Sequence, residues 1–222
     1  MRRAVIVVFA SAFVLVQPAL GAHKPTSTST ATIAATPNPV LFGSPTTITG
    51  QVAGKHSSGA TVSLQSKPFP YTSSFTTVAT TTADATGHYS FRVAARLNTI
   101  YHVVVKTAPP ATSPDVLVKV RVRITLHVGT STPKAGQAVR FSGFVLPAYN
   151  RKTIQIQRKT RTGWRTIALA NLATATPVGG VARSKYSKRL IIRRSGTYRV
   201  RFNPADGARI ANTSPTRKLT VH

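Results

Sequence analysis

Residues 43–50 read GSPTTITG and residues 136–143 read GQAVRFSG. A pair of glycines with the same spacing therefore occurs twice, 93 residues apart, and Val52 falls over Val145 at that same offset. Working outward, Val62-Ser63-Leu64-Gln65 lies over Ile154-Gln155-Ile156-Gln157, and Phe75 with Val78 lies over Trp164 with Ile167. Tyr89-Ser90 and Tyr101 then match Tyr186-Ser187 and Tyr198, and Ser113-Pro114 with Val118 and Val120 match Ser214-Pro215 with Leu219 and Val221. The offset changes only across stretches rich in Gly, Pro and Ser, where insertions sit in loops. Two copies of one fold are expected.

Within each copy the apolar residues alternate with polar ones. Examples are Val62 and Leu64, then Tyr89, Phe91 and Val93, then Tyr101, Val103 and Val105; in the second copy, Ile154 and Ile156, then Tyr198, Val200 and Phe202. A period of two places one face of a strand on a core and the other in water, and no window has a helical period. The fold class expected is all-β. Each copy has about seven such strands, the number and length of an immunoglobulin-like sandwich. From Val116 to Val128 every second residue is apolar, without Gly or Pro. That run is about twice the usual strand length, so it is expected to be two strands joined near Arg123, coupling the copies stiffly.

Several short words resemble the bacterial immunoglobulin-like repeats found in tandem on secreted and surface proteins: Gly136 to Gly143, Gln157-Arg158, Gly163-Trp164 and Gly196-Thr197-Tyr198-Arg199-Val200 in the second copy. In the first they are Ser44 to Gly50, Asp84-Ala85-Thr86-Gly87-His88-Tyr89-Ser90-Phe91 and Tyr101 to Val105. The resemblance implies a spacer, adhesion or carbohydrate-associated module without catalysis. It departs from this chain before Tyr186, where Val178-Gly179-Gly180-Val181-Ala182 replaces the Asp-x-x-Gly turn.

The N-terminus carries a different signal. Met1-Arg2-Arg3 is a basic start, Ala4 to Val16 is apolar, and Pro18-Ala19-Leu20-Gly21-Ala22 supplies small residues around a cleavage point. Residues 1–22 are expected to be a secretory signal peptide, 23–32 a Ser/Thr-rich leader, 33–123 a first immunoglobulin-like domain and 124–222 a second. The mature protein is then secreted or extracellular, in association with the cell envelope or free, with no integral membrane segment after cleavage. Neither disulfides nor thiolate chemistry exist, because the chain has no cysteine.

Charge is the least ordinary property. The 222 residues hold 30 Lys plus Arg against 3 acidic residues, all Asp, for a net charge of +27. Between Ile33 and Ile124, 8 Lys plus Arg stand against 2 Asp; from Thr125 to His222, 19 stand against 1. The second copy is expected to attract polyanions. Its candidate contact residues are Arg158, Lys159, Arg161 and Arg165 around one hairpin, then Lys188, Arg189, Arg193 and Arg194 in a cluster that begins at Lys185. Arg199 and Arg201 alternate with Val200 and Phe202 and so share a solvent face. One continuous basic face is expected from these residues.

Catalysis and metal binding lack their usual residues. Asp84, Asp115 and Asp206 occupy turn positions where Asp bonds its own backbone, and His56, His88, His102 and His127 have no ligand spacing. No enzyme, cofactor, metal or small-molecule substrate is expected. Trp164 shares its position with Phe75, which favours packing over stacking on a ligand. The expected function is a secreted, non-catalytic structural or adhesion module whose second domain contacts an anionic envelope polymer or acidic polysaccharide. A module that binds nucleic acid without sequence preference is the alternative.

Overall fold

The computed structural model describes residues 28–222; the expected signal peptide and the start of the expected leader lie outside the described residues. Strands and turns make up the chain, and no helix occurs among the described residues, so the fold is all-β.

In the N-terminal half, Thr46–Ala53 pairs antiparallel with His88–Val93 on one side and with Ala34–Thr36 and Thr30–Ala31 on the other. A second antiparallel sheet runs in the order Val116–Val118, Thr99–Val105, Thr61–Pro68, Thr76–Thr82. One core cluster takes Ile48, Val52, Tyr89 and Phe91 from the first sheet and Val62, Leu64, Tyr101, Val103 and Val105 from the second. These are the alternating apolar residues, and their burial is the main force holding the sheets together.

The C-terminal half also forms two antiparallel sheets. Gln137–Leu146 pairs with Val181–Ile192, which carries Ala173–Val178 at its edge, while Arg123–Ile124 and His127–Val128 line the opposite side. The other sheet orders Gly163–Asn171, Thr153–Thr160 and Gly196–Phe202, with Asn212–Thr213 and Arg217–Leu219 beyond. A separate core cluster contains Val139, Phe141, Val145, Ile154, Ile156, Tyr186, Tyr198, Val200 and Phe202.

The repeated glycines have two causes. Gly43 and Gly136 have φ of 78° and 82°, a left-handed turn that glycine adopts without steric cost. Gly50 and Gly143 are crowded: a Cβ at Gly143 would lie 2.1 Å from the Thr125 carbonyl oxygen and 2.7 Å from the Tyr186 hydroxyl. The Tyr186 hydroxyl donates to that carbonyl at 2.6 Å, and Tyr89 donates to Thr32 over Gly50 in the same way. Each half thus pins its first strand with one tyrosine laid across one glycine.

The Val116–Val128 run is cut more finely than two strands. Val116–Val118 stays on Thr99–Val105, Val120–Arg121 pairs parallel with Val40–Leu41, and Arg123–Ile124 and His127–Val128 both join Gln137–Leu146. Val118 and Val120 enter the first core cluster, Val122 and Ile124 the second. The period-two pattern survives because each segment keeps one face inward while changing partner. Around this crossing, Asn98 is central. Its backbone N–H and Nδ2 donate to the carbonyls of Ala208 and Gly207, both at 2.8 Å, and its Oδ1 accepts the Val120 N–H at 2.8 Å. Ile210 N–H donates to the Val120 carbonyl at 2.9 Å, and Arg209 Nε donates to the Arg96 carbonyl at 2.9 Å. Leu146 and Val181 of the C-terminal half pack against the N-terminal core.

Candidate polyanion-binding surface

The three carboxylates are already engaged. Asp84 accepts the N–H groups of Thr86 and His88 and the Thr86 hydroxyl; that hydroxyl, followed by the His88 and Thr86 amides, holds its pKa below the ordinary value. Asp206 accepts the amides of Ala208 and Arg209 and the Tyr149 hydroxyl, with Arg209 Nη1 3.9 Å away. Asp115 departs from the expected self-bonded turn and meets His102 Nδ1 at 3.1 Å. Among the described residues, the cations of the C-terminal half therefore have a single carboxylate, and its nearest cation is Arg209.

Arg199 and Arg201 project from the same face of Gly196–Phe202, opposite Gln157 and Gln155 in the neighbouring strand. The Arg199 guanidinium lies 4.1 Å from the centre of the Trp164 ring, and Lys159 Nζ lies 5.7 Å from it. Gln157 Oε1 accepts from Arg199 Nε at 2.9 Å, which holds the guanidinium near the ring. Desolvation, and then the Arg201 charge, lower the Arg199 pKa. The N-terminal half carries a counterpart with an acid beside it. There His102 stacks on Phe75 at 3.9 Å, Lys67 lies 5.4 Å from that ring, Gln65 meets His102 Nε2 at 2.9 Å, and Asp115 Oδ1 meets its Nδ1 at 3.1 Å. Phe75 and Trp164 do share a packing position, on the outer face of a sheet beneath a nitrogen-bearing side chain.

The other C-terminal sheet presents a second basic region. A groove of about 710 Å³ crosses its outer face, lined among others by Gly143, Ser142, Ser187, Arg140, Lys185, Arg217 and His127. Gly143 has no side chain because the Thr125 backbone and the Tyr186 hydroxyl leave no room for one. Arg140 Nε donates to Ser187 Oγ at 2.9 Å, and Arg217 Nε to the Leu126 carbonyl at 3.2 Å. Arg189 stands directly across from Arg140 in the strand register, and the two line an adjoining hollow. The basic strip therefore runs from Arg217 and Lys185 through Arg140 to Arg189.

The sequence-derived cations do not form one face. Lys159, Arg199 and Arg201 lie on one sheet; Arg189, and Lys188 across from Phe141, lie on the other. Arg158, Arg193 and Arg194 line a corner hollow, while Arg161 and Arg165 sit exposed in and after the turn of their hairpin. Val181–Ile192 and Gly196–Phe202 are adjacent in sequence but belong to opposite sheets, which separates Arg189 from Arg199. Sequence reasoning missed Arg140 and Arg217. Arg140 had a readable signal in its place between the buried Val139 and Phe141, whereas Arg217 reaches the groove only because the last strand borders the first.

Among the described residues no group of three His or Asp side chains could hold a metal ion. No protein-family model matches the chain, and no curated protein matches it in sequence.

Proposed function

We propose that this protein is a secreted, non-catalytic structural or adhesion module of the cell envelope, built from two immunoglobulin-like β-domains, whose C-terminal domain holds anionic polymers electrostatically. The observation that carries the reading is the uncompensated charge of that half: 19 Lys plus Arg against Asp206 alone, an acid already occupied by Tyr149, Arg209 and its own loop. Cations set along two sheet faces, several fixed by hydrogen bonds to Gln157, Ser187 or Leu126, suit a polymer that passes over the surface. Such contacts read charge density and are screened by salt. The hydrogen-bonded junction around Asn98 supports a spacer that transmits position rather than tumbling freely.

Retention of the purified protein on isolated cell envelopes, compared with immobilised double-stranded DNA of matched charge across a salt series, tests this function. Steep loss of envelope retention with salt, and its further loss when Arg140, Lys185, Arg199 and Arg201 are all changed to Ser, is the expected result. Preference for DNA at matched charge would replace the envelope by nucleic acid. Retention indifferent to salt and to those four residues would leave a passive spacer.

A further inference from the structure

Three arginines converge where the sheets of the C-terminal half meet at the Ser195 turn. Arg158, Arg193 and Arg194 line a hollow of about 320 Å³ with Tyr198, Ile167 and Ile192, and no carboxylate lines it. Arg158 is held rather than free. Its Nη2 donates to the Ser195 carbonyl at 2.9 Å, and its Nε lies so close over Gly196 that a Cβ there would approach to 2.6 Å. That Nε is buried and has no hydrogen-bond partner. A buried donor without an acceptor is costly, and more so on a cation. Burial raises the pKa of the Tyr198 phenol and the nearby Arg158 charge draws it partly back, so the two groups feel each other.

Packing does not account for an arginine at this position. In the N-terminal half the residue that stands across from Tyr101, as Arg158 stands across from Tyr198, is the buried Ser66. A small neutral side chain therefore closes the same place in the same strand arrangement. The arginine, its orphaned Nε and its two arginine neighbours are additions of the C-terminal half.

We propose that this corner is a discrete oxyanion subsite that takes one phosphate group, as a free or terminal monoester or within a phosphodiester chain. Three guanidinium groups and a phenol offer more donors than the two oxygens of a carboxylate use, and they suit the tetrahedral oxygens of phosphate. The buried Arg158 Nε shows that its guanidinium is held in place against Gly196 rather than oriented by a protein acceptor, and an oxyanion in the hollow relieves the mutual repulsion among the three cations. The subsite rests on the anion-binding reading of this half only in requiring a negative ligand, and it differs from the open sheet faces in being saturable and geometric.

The test follows the arginine Nε–H resonances of the purified protein by NMR, titrated with inorganic phosphate, glycerol phosphate and a glycerol phosphodiester at constant ionic strength. The Arg158 signal, identified by its loss in Arg158→Lys, is expected to move saturably. Arg158→Lys keeps the charge but removes the fixed fork, and is expected to weaken phosphate binding about tenfold or more, as the loss of one charged hydrogen bond implies. Gly196→Ala, which dislodges Arg158, and the exposed Arg194→Gln, which leaves packing intact, are expected to weaken it as well. Binding of the diester points to a polymer and binding of the monoesters alone to a free or terminal phosphate, and either supports the subsite. Unsaturable shifts, or Arg158→Lys binding phosphate as the parent does, would overturn it. The wider electrostatic function fails separately, if envelope retention ignores salt while the phosphate titration still saturates.

Discussion

The guanidinium of Arg199 lies 4.1 Å from the centre of the Trp164 ring and is pinned there by Gln157, one residue beyond the buried Tyr198. The arrangement matches His102 on Phe75 beyond Tyr101, with an arginine in place of an imidazole and without the neighbouring acid. One sheet position has thus become a fixed, uncompensated cation on an aromatic base.

That contact is measurable. A double-mutant cycle of Arg199→Gln and Trp164→Phe, read by urea denaturation, is expected to give a coupling of about 0.5–1 kcal/mol, the range for a partly exposed cation–aromatic pair. Arg199→Gln alone is expected to shift the fluorescence of the single tryptophan to the red as its ring becomes wetter. No spectral shift and no coupling would show that the guanidinium does not rest on the ring.

Tyr186 and Gly143 act as a pair. Tyr186→Phe leaves the Thr125 carbonyl without its donor and is expected to cost about 1–3 kcal/mol. Gly143→Ala places a methyl 2.1 Å from that carbonyl, against backbone that cannot yield, and is expected to cost about 3 kcal/mol or more. Chemical denaturation ranks them, and an alanine milder than the phenylalanine would contradict the crowding.

The tyrosines set the alkaline limit. Burial pushes Tyr89 and Tyr149 up to about 12 and Tyr186 higher still. The unfolded chain releases phenolic protons near pH 10 while the fold retains them, so this stability is whole below about 10 and is lost as the pH rises toward 12. Melting temperature followed from pH 8 upward is expected to fall beyond about pH 10, together with delayed phenolate absorbance. A flat profile through pH 11 would contradict it. Asp84 works in the opposite sense: its hydrogen-bonded carboxylate stabilises the fold above its unfolded pKa, and that contribution disappears as acid protonates it.

Asn98 couples the halves. Asn98→Ala removes the donor to Gly207 and the acceptor of Val120, and is expected to cost about 2 kcal/mol and to split the calorimetric transition in two. Solution scattering should show a broader distribution of end-to-end distance than the parent. An unchanged single transition would place the coupling elsewhere, in the Val120–Ile210 backbone bonds.

Much of this was legible in the residues because it is local. Alternation at Val62 and Leu64 or at Val200 and Phe202 fixes which side chains turn inward, since a strand has a period of two whatever it pairs with. Arg199 and Arg201 fell together on the outer face as their spacing requires, whereas the turn at Gly43 and Gly136 and the crowding at Gly50 and Gly143 emerged only with the fold. With only three carboxylates against 30 Lys plus Arg, surplus positive charge was unavoidable.

Pairing between strands far apart in sequence decided the rest. Period two assigns a side chain to a face but cannot say which sheet its strand joins, so Arg189 and Arg199, ten residues apart, went to opposite sheets. The same long-range pairing brought Arg217 beside Arg140 and Lys185, and cut the Val116–Val128 run into four segments shared among three partner strands. It also folded Arg158 over Gly196 against Arg193 and Arg194. Charge and alternation are properties of the chain, whereas a groove or a corner arises only when distant strands close on a shared core and leave their remaining side chains as neighbours.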